Sequence, residues 1–344
     1  MNVISLGAFG DISNFYLDKI PIPNPKIGEV RILIKAVAFN PVDYKTRKGE
    51  YGGRVPLVLG SDCSGIVDAI GIGVNQFAIG DEVYAMPFGQ SSNGSYAQYV
   101  CLPYQFVAKK PKSLSFEAAA CLPLVSLTAY RATIGLQVLN KKDSLFIAGA
   151  AGGVGCMAVQ LVRYFHGGPI YTIARSEETA KFLVEKLNIE KENIVICKNA
   201  NVEQLRNILI KLNNNSLFSG VLDFVGNEVK ELCISLADYS GQIISTVPED
   251  LDFKVSIWGK NNLYFQKSLS LNCIFVGAES FFGEEKSWEV YQTHFSHLNQ
   301  LLNEKIITVP FYKNLGPFSV KTVQDAHQLL ETGRVKGKII MEVN

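Results

Sequence analysis

The chain has 344 residues, enough for two domains that each bury a core of ordinary size. Its 33 basic and 32 acidic residues nearly cancel and form no basic stripe or long like-charge run, which argues against nucleic acid as the main partner. Met1-Asn-Val-Ile-Ser is not a charged start followed by a long apolar stretch, and no segment reaches the length of a membrane span, so no membrane partner is expected.

In chain order, the first 120 or so residues alternate strand-like stretches with glycine and proline turns. The stretches are Glu29 to Val37, Cys63 to Ile70, Asp81 to Met86 and Ser95 to Val100. They predict a mostly antiparallel β domain, partly barrel-like. Seven cysteines are scattered one per element without a C-x-x-C pair, a pattern expected of free, reduced thiols in the cytoplasm.

The most informative segment follows. Ser144 to Ala148 reads as a buried parallel strand, the glycine cluster Gly149-Ala-Ala-Gly152-Gly153-Val154-Gly155 as a tight turn, and Val154, Met157, Ala158, Leu161 and Phe165 as one face of a helix. Glycines let a backbone approach a pyrophosphate, and the free amides and dipole of a helix start stabilise its charge. The spacing Gly149-x-x-Gly152-x-x-Gly155 is intact, while Ala150 stands where the strict G-x-G-x-x-G pattern has its first glycine. Such a fingerprint alone is weak, because any strand-to-helix turn can produce it.

Downstream alternation adds the weight. Strands are expected at Pro169 to Ala174, Ile194 to Cys197, Gly220 to Gly226, Gly241 to Val247 and Leu269 to Val276, with helices at Glu177 to Leu187 and about Val202 to Leu212. This is the pattern of an α/β, doubly wound parallel sheet, a Rossmann domain. Twenty residues beyond Gly155, where an NAD site has Asp or Glu to bind the ribose hydroxyls, stand Arg175 and Ser176. A guanidinium there can take a 2′-phosphate by paired, charge-assisted hydrogen bonds, so NADP(H) is the expected cofactor.

A set of motifs then occurs in order: Asn40-Pro-Val-Asp43, Gly60-Ser-Asp62-Cys-Ser-Gly65, Gly80-Asp-Glu-Val83, Gly94-Ser-Tyr-Ala-Gln-Tyr-Val100, Thr128-Ala-Tyr130, Gly152-Gly-Val-Gly155 and Ala326 to Ile340. With these the chain resembles the medium-chain dehydrogenase/reductase superfamily, in its zinc-independent quinone oxidoreductase branch. The resemblance implies a GroES-like catalytic domain over residues 1–123, a Rossmann NADP-binding domain over 124–278 and a return to the catalytic domain over 279–344. Zinc members carry Cys and His where this chain has Asn40 and Ser61, with a third ligand near Leu124. These residues cannot supply a thiolate and imidazole set, the four-cysteine structural lobe is absent, and no metal is expected. His294 and His297 lack a third ligand.

The resemblance also extends the cofactor site. Thr128 matches a residue near the nicotinamide, with a helix-start hydroxyl as its plainer reading. Thr179 stands where the family often has a Lys, and Lys198 where a Tyr usually flanks the adenosine; Arg175, Lys181 and Lys198 could compensate, although each equally suits a solvated surface. Gly241 matches a glycine opening the fifth strand, and Phe275, Val276 and Lys338 match late positions that close over the cofactor. Among catalytic candidates, Asn40 matches a position beside the nicotinamide and Tyr51 a tyrosine lining the quinone pocket, or else a loop aromatic after Gly49. A second family tyrosine is replaced by Lys45. Asp43 is expected to fix its loop through backbone hydrogen bonds.

Without metal, direct oxidation of a simple alcohol lacks a means of polarising oxygen. Hydride transfer to an electron-poor quinone or α,β-unsaturated carbonyl (an enone or 2-alkenal) needs only proximity and hydrogen bonds to the developing oxyanion. The expected function is thus an NADPH-dependent quinone or enone reductase. A crystallin-like NADPH-binding protein with little turnover has the same fingerprint, and a zinc-type alcohol dehydrogenase would need the missing ligands. The apolar last strand, Leu269 to Val276, predicts a homodimer formed through the Rossmann sheet.

Overall fold

Strand β1 (Asn2–Leu6) pairs antiparallel with β2 (Phe15–Lys19) and with the short β4 (Leu57–Val58), giving a three-stranded sheet in the order β2-β1-β4. The computed structural model describes residues 1–87, 93–136, 140, 143–198, 200–248 and 262–343. Two compact units make up the chain, residues 1–127 with 276–344 and residues 128–275.

In the first unit the alternating segment after Gly28 becomes β3 (Glu29–Phe39), the spine of a larger sheet. It pairs antiparallel with β5 (Asp62–Ile70) and β7 (Tyr99–Pro103), while β6 (Glu82–Ala85) joins β5 to β8 (Val107–Lys109). The strand expected from Ser95 to Val100 begins only at Tyr99. Ser95 and Tyr96 instead donate their backbone N–H groups to Gly60 and Leu59, and Ala97 makes an isolated bridge to Val3. Those tertiary partners consume the donors a ladder would need.

Helix α1 (Pro41–Lys48) starts with proline, whose missing N–H costs nothing at a first helical position, and stops at Gly49 in the left-handed region (φ 88°). Helix α2 (Phe116–Ala120) is capped by the Ser115 hydroxyl, and α3 (Pro123–Ile134) follows.

The second unit alternates as its sequence predicts. Strand β9 (Leu145–Ala148) leads to α4 (Gly153–Phe165), β10 (Ile170–Ala174) to α5 (Glu177–Leu187), and β11 (Ile194–Ile196) to α6 (Val202–Leu212). After β12 (Phe218–Asp223) come α7 (Glu228–Leu236), β13 (Ala237–Ser245), α8 (Leu263–Gln266) and β14 (Ser270–Cys273). The sheet is parallel, in the order β11-β10-β9-β12-β13-β14. All four residues of β9 are buried, as a central parallel strand requires, and Phe146 and Tyr171 pack on Phe218 at ring separations of 5.9 and 5.2 Å. The order changes direction between β9 and β12, the place where such sheets leave a crevice at their carboxyl ends. Edge strand β14 is exposed along its length.

The chain then returns to the first unit through α9 (Ala278–Phe282), α10 (Glu289–Asn303), β15 (Tyr312–Pro317), α11 (Val320–Glu331) and β16 (Lys338–Glu342). Strand β16 pairs antiparallel with β3, Ile339 opposite Phe39, and completes a seven-stranded sheet. Helix α10 covers the far end of that sheet, with Tyr291 against Phe106 and Phe295 against Tyr84 at 4.8 and 5.4 Å. No helix among the described residues is long and apolar enough to cross a membrane.

Candidate functional site

In the second unit the glycine turn leaves the carboxyl end of β9. Gly149 adopts φ 81°, a conformation that costs a side-chain-bearing residue energy, and Gly152 is the N-cap of α4 without offering a side chain to its amides. Gly155 is required for packing, since a Cβ there would lie 2.2 Å from the Gly149 carbonyl oxygen. Gly153 and Val154, both partly accessible, complete the first turn. Backbone N–H groups at an uncapped helix start suit an anion, so these residues fit a dinucleotide pyrophosphate.

The residues that follow β10, β11 and β14 lie at the same end of the sheet. Arg175 and Ser176 follow β10 directly and are exposed, as is Lys198 just beyond β11. The Ser176 hydroxyl also caps α5, accepting from the Thr179 N–H at 3.2 Å. Lys181 lies on the exposed face of α5, 3.7 Å from Glu185. Phe275 follows β14 and is 45% exposed, and Thr128 is buried in α3. Gly241 corrects the sequence expectation. It lies within β13, not at its start, and its neighbour Gln242 is level through Gly220 with Leu145, the first residue of β9. The glycine turn leaves the other end of that strand, so Gly241 is removed from the cofactor set. Its lack of a side chain serves packing, as a Cβ would lie 2.7 Å from the Asp238 carbonyl oxygen.

In the first unit, three neighbouring strand ends assemble a buried polar cluster. Asn40 follows β3, Asp62 opens β5 opposite Ala38, and Lys338 opens β16. The Lys338 ammonium donates to Asp62 Oδ2 at 2.9 Å, Asn40 Oδ1 at 2.6 Å and the Phe39 carbonyl at 3.0 Å. Asn40 Nδ2 donates to Asp62 Oδ2 at 2.8 Å, and the Leu124 N–H donates to Asp62 Oδ1 at 2.7 Å. Beside them, Asp43 accepts from the Asn40 N–H at 2.8 Å and from the Ser61 hydroxyl at 2.5 Å. Asp43 thus fixes its loop through the backbone, as the sequence led one to expect.

Asn40 and Ser61, where the resemblance implies two zinc ligands, and Leu124, near the implied third, therefore do meet. They meet around two carboxylates and an ammonium, not around a thiolate and imidazole set. Asn40 is fully buried with its amide committed on both sides. Burial pushes the Asp43 carboxyl up to about 6 against the opposing pull of the Ser61 and Asn40 hydrogen bonds and Lys338. Burial also raises Asp62, countered by Lys338 and Asn40. Among the described residues no group of three or more His, Cys, Asp or Glu could hold a metal ion.

Lys338 is the second correction. An ammonium has three donors, all three are spent inside the cluster, and none is left to reach over a cofactor. No local signal in the sequence pairs it with Asp62, which lies 276 positions earlier. A usable signal was Asp62 itself: a carboxylate within an apolar strand requires a buried cation somewhere. Tyr51 stands apart, 51% exposed beyond α1, with its phenol pushed above the ordinary value by burial and by Glu50. Lys45, 3.9 Å from Glu50, and Tyr44, under the Lys48 ammonium at 5.4 Å, share that helix. Val276 is buried at the start of the returning segment.

Residues 26–112 match the family described as the alcohol dehydrogenase GroES-like domain. Over 163 residues the chain is 36% identical to the mouse synaptic vesicle membrane protein VAT-1 homolog-like, covering 47% of this chain and 38% of that protein, well under two thirds of the relative's length. Longer matches are to a zinc-type alcohol dehydrogenase-like protein of Staphylococcus epidermidis (26% identical; 98% of this chain, 99% of that protein) and to the tomato (Solanum lycopersicum) 2-methylene-furan-3-one reductase (28%; 99% and 79%). Among solved structures, the quinone oxidoreductase of Coxiella burnetii is similar with a TM-score of 0.79 and 28% identity, covering 100% of this chain and 99% of that one.

Proposed function

Because the chain belongs to the medium-chain dehydrogenase/reductase superfamily and fits its quinone oxidoreductase-like branch, we propose that it is a zinc-independent, NADPH-dependent reductase of quinones or α,β-unsaturated carbonyls. One observation carries the reading: the uncapped start of α4, behind Gly149, Gly152 and Gly155, opens at the same sheet end as Arg175. Backbone amides there hold the pyrophosphate, and the Arg175 guanidinium holds a 2′-phosphate. Bound NADPH would supply the hydride.

The protein's remaining task is to hold an electron-poor acceptor and stabilise the oxygen on which charge develops. Tyr51, an exposed phenol, is our candidate donor to that oxygen, and buried Asn40 supports the reaction centre from within. Zinc is dispensable in this reading because Asn40, Ser61 and Leu124 are engaged by Asp43, Asp62 and Lys338. The names of the tomato and Coxiella relatives favour enone and quinone acceptors respectively. We further propose a homodimer joined through β14, and a cytoplasmic location in keeping with seven free cysteines.

The test is NADPH consumption against a panel of quinones, enones and 2-alkenals. Steady turnover with at least one class is expected. Tight NADPH binding with no turnover would favour the crystallin-like alternative. One zinc per chain by elemental analysis, with activity lost to a chelator, would favour the zinc-type alcohol dehydrogenase that the staphylococcal relative's name suggests.

A further inference from the structure

Lys338 is buried to 3% exposure, and its ammonium touches Asn40, Asp62 and the end of β3 at once. The amide of Asn40 has two unlike ends, one carbonyl and one NH₂. Turned over, its NH₂ would face the Lys338 ammonium and its carbonyl the Asp62 carboxylate, two repulsions in place of two hydrogen bonds. Charge therefore dictates which way round Asn40 stands. Asp62 is also the acceptor for the Leu124 N–H in the first turn of α3, so the same ammonium steadies a third segment through its counter-ion.

We propose that Lys338 is a positioning residue, which fixes the Asn40 amide and the Asp62 carboxylate in one arrangement and does not bind the cofactor. Its kinetic consequence rests on the reductase reading above; its structural content does not. Without the ammonium, Asp62 is a buried carboxylate lacking its cation and Asn40 loses the partner that orients it. The effect on reaction is indirect. It belongs in kcat and not in cofactor affinity.

Two measurements on the full chain test this. Kinetically, Lys338→Met is expected to keep the Kd for NADPH within about twofold while kcat falls at least about tenfold, and Lys338→Arg to recover most of the loss. A roughly tenfold weaker NADPH complex with unchanged kcat would overturn the proposal and return Lys338 to the cofactor. Spectroscopically, ¹⁵N-asparagine labelling of the wild type, with Asn40 assigned by its loss in Asn40→Ser, is expected to show one side-chain proton exchanging at least about a hundredfold slower than in exposed asparagines. Lys338→Met should lose that protection and Lys338→Arg keep it. Fast exchange of both Asn40 protons in the wild type overturns the proposal even if Lys338→Met does not fold. A wild type that consumes no NADPH sinks the reductase reading, while the exchange measurement still decides the role of Lys338.

Discussion

The Cα of Gly155, in the first turn of α4, packs against the carbonyl oxygen of Gly149, so closely that a methyl group there would lie 2.2 Å from the oxygen and 2.5 Å from the Ala150 Cα. Both neighbours are backbone and cannot swing aside. Gly155→Ala is expected to destabilise by about 1–3 kcal/mol, as overpacking does. It should also weaken NADPH binding at least about tenfold, because the turn must open to admit the methyl. Gly152→Ala is the control: its nearest contact would be 3.4 Å, and the expected cost is about 1 kcal/mol or less from a poorer cap. Thermal melts and fluorescence titration of the pair check this, and equal losses would refute it.

Arg175 stands exposed where an NAD-binding chain places an acid. Tighter binding of NADPH than NADH is expected, by about 1–3 kcal/mol of charge-assisted contacts. Arg175→Asp should remove or reverse that margin. Ser176→Ala separates the two parts of the site, because its hydroxyl caps α5: it should cost about 1 kcal/mol of stability whichever nucleotide binds. Equal wild-type affinities for the two nucleotides would sink the assignment.

His327 is buried among Phe15, Phe39 and Tyr96, with Nε2 3.0 Å from the Tyr96 hydroxyl. Burial, with the Arg47 charge, lowers it from 6.5 to about 3. Between those values the unfolded chain binds the extra proton, so the contribution of His327 is complete above about pH 6.5 and is lost progressively as pH falls toward about 3. Asp43 works the other way: raised from 3.8 to about 6, it contributes stability at acid pH that is lost as pH rises through about 6. Comparing wild type with His327→Gln removes the Asp43 effect, which both proteins share. The wild type's stability margin is expected to shrink by a few kcal/mol between about pH 7.5 and about pH 4.5 in denaturant titrations. A margin independent of pH would mean that His327 is not held neutral.

Strand β14 leaves its outer edge open, with Leu271 41% exposed. Sedimentation equilibrium at micromolar concentration should find twice the 37.9 kDa chain mass, and Leu271→Lys should return the single-chain mass. A wild type at single-chain mass throughout would mean that nothing pairs with this edge.

Most of the parallel sheet was legible because each strand and helix carries its own periodicity, and the helices Glu177–Leu187 and Val202–Leu212 have the bounds their patterns predict. The glycine turn was legible for the same local reason. What the pattern concealed were tertiary substitutions for local structure. Ser95 and Tyr96 look like strand residues but spend their N–H groups on Gly60 and Leu59. Gly241 looks like a strand opener but fills a crowded interior position. Lys338 matches a late position that closes over the cofactor, and only the pairing of β16 with β3 reveals its counter-ion.

The first unit is built from two pieces of chain, and the second from the single stretch between them. During synthesis this separates two clocks. Every residue of the parallel sheet is available once the stretch to 275 has emerged, whereas the carboxylates of Asp43 and Asp62 wait for an ammonium more than 270 positions after Asp62. Closing so distant a contact is slow, and domains fold as units in the order they appear. The glycine turn is thus an early product of folding and the charge-balanced cluster a late one, so a chain halted before β16 has its turn but lacks the cation its buried acids need.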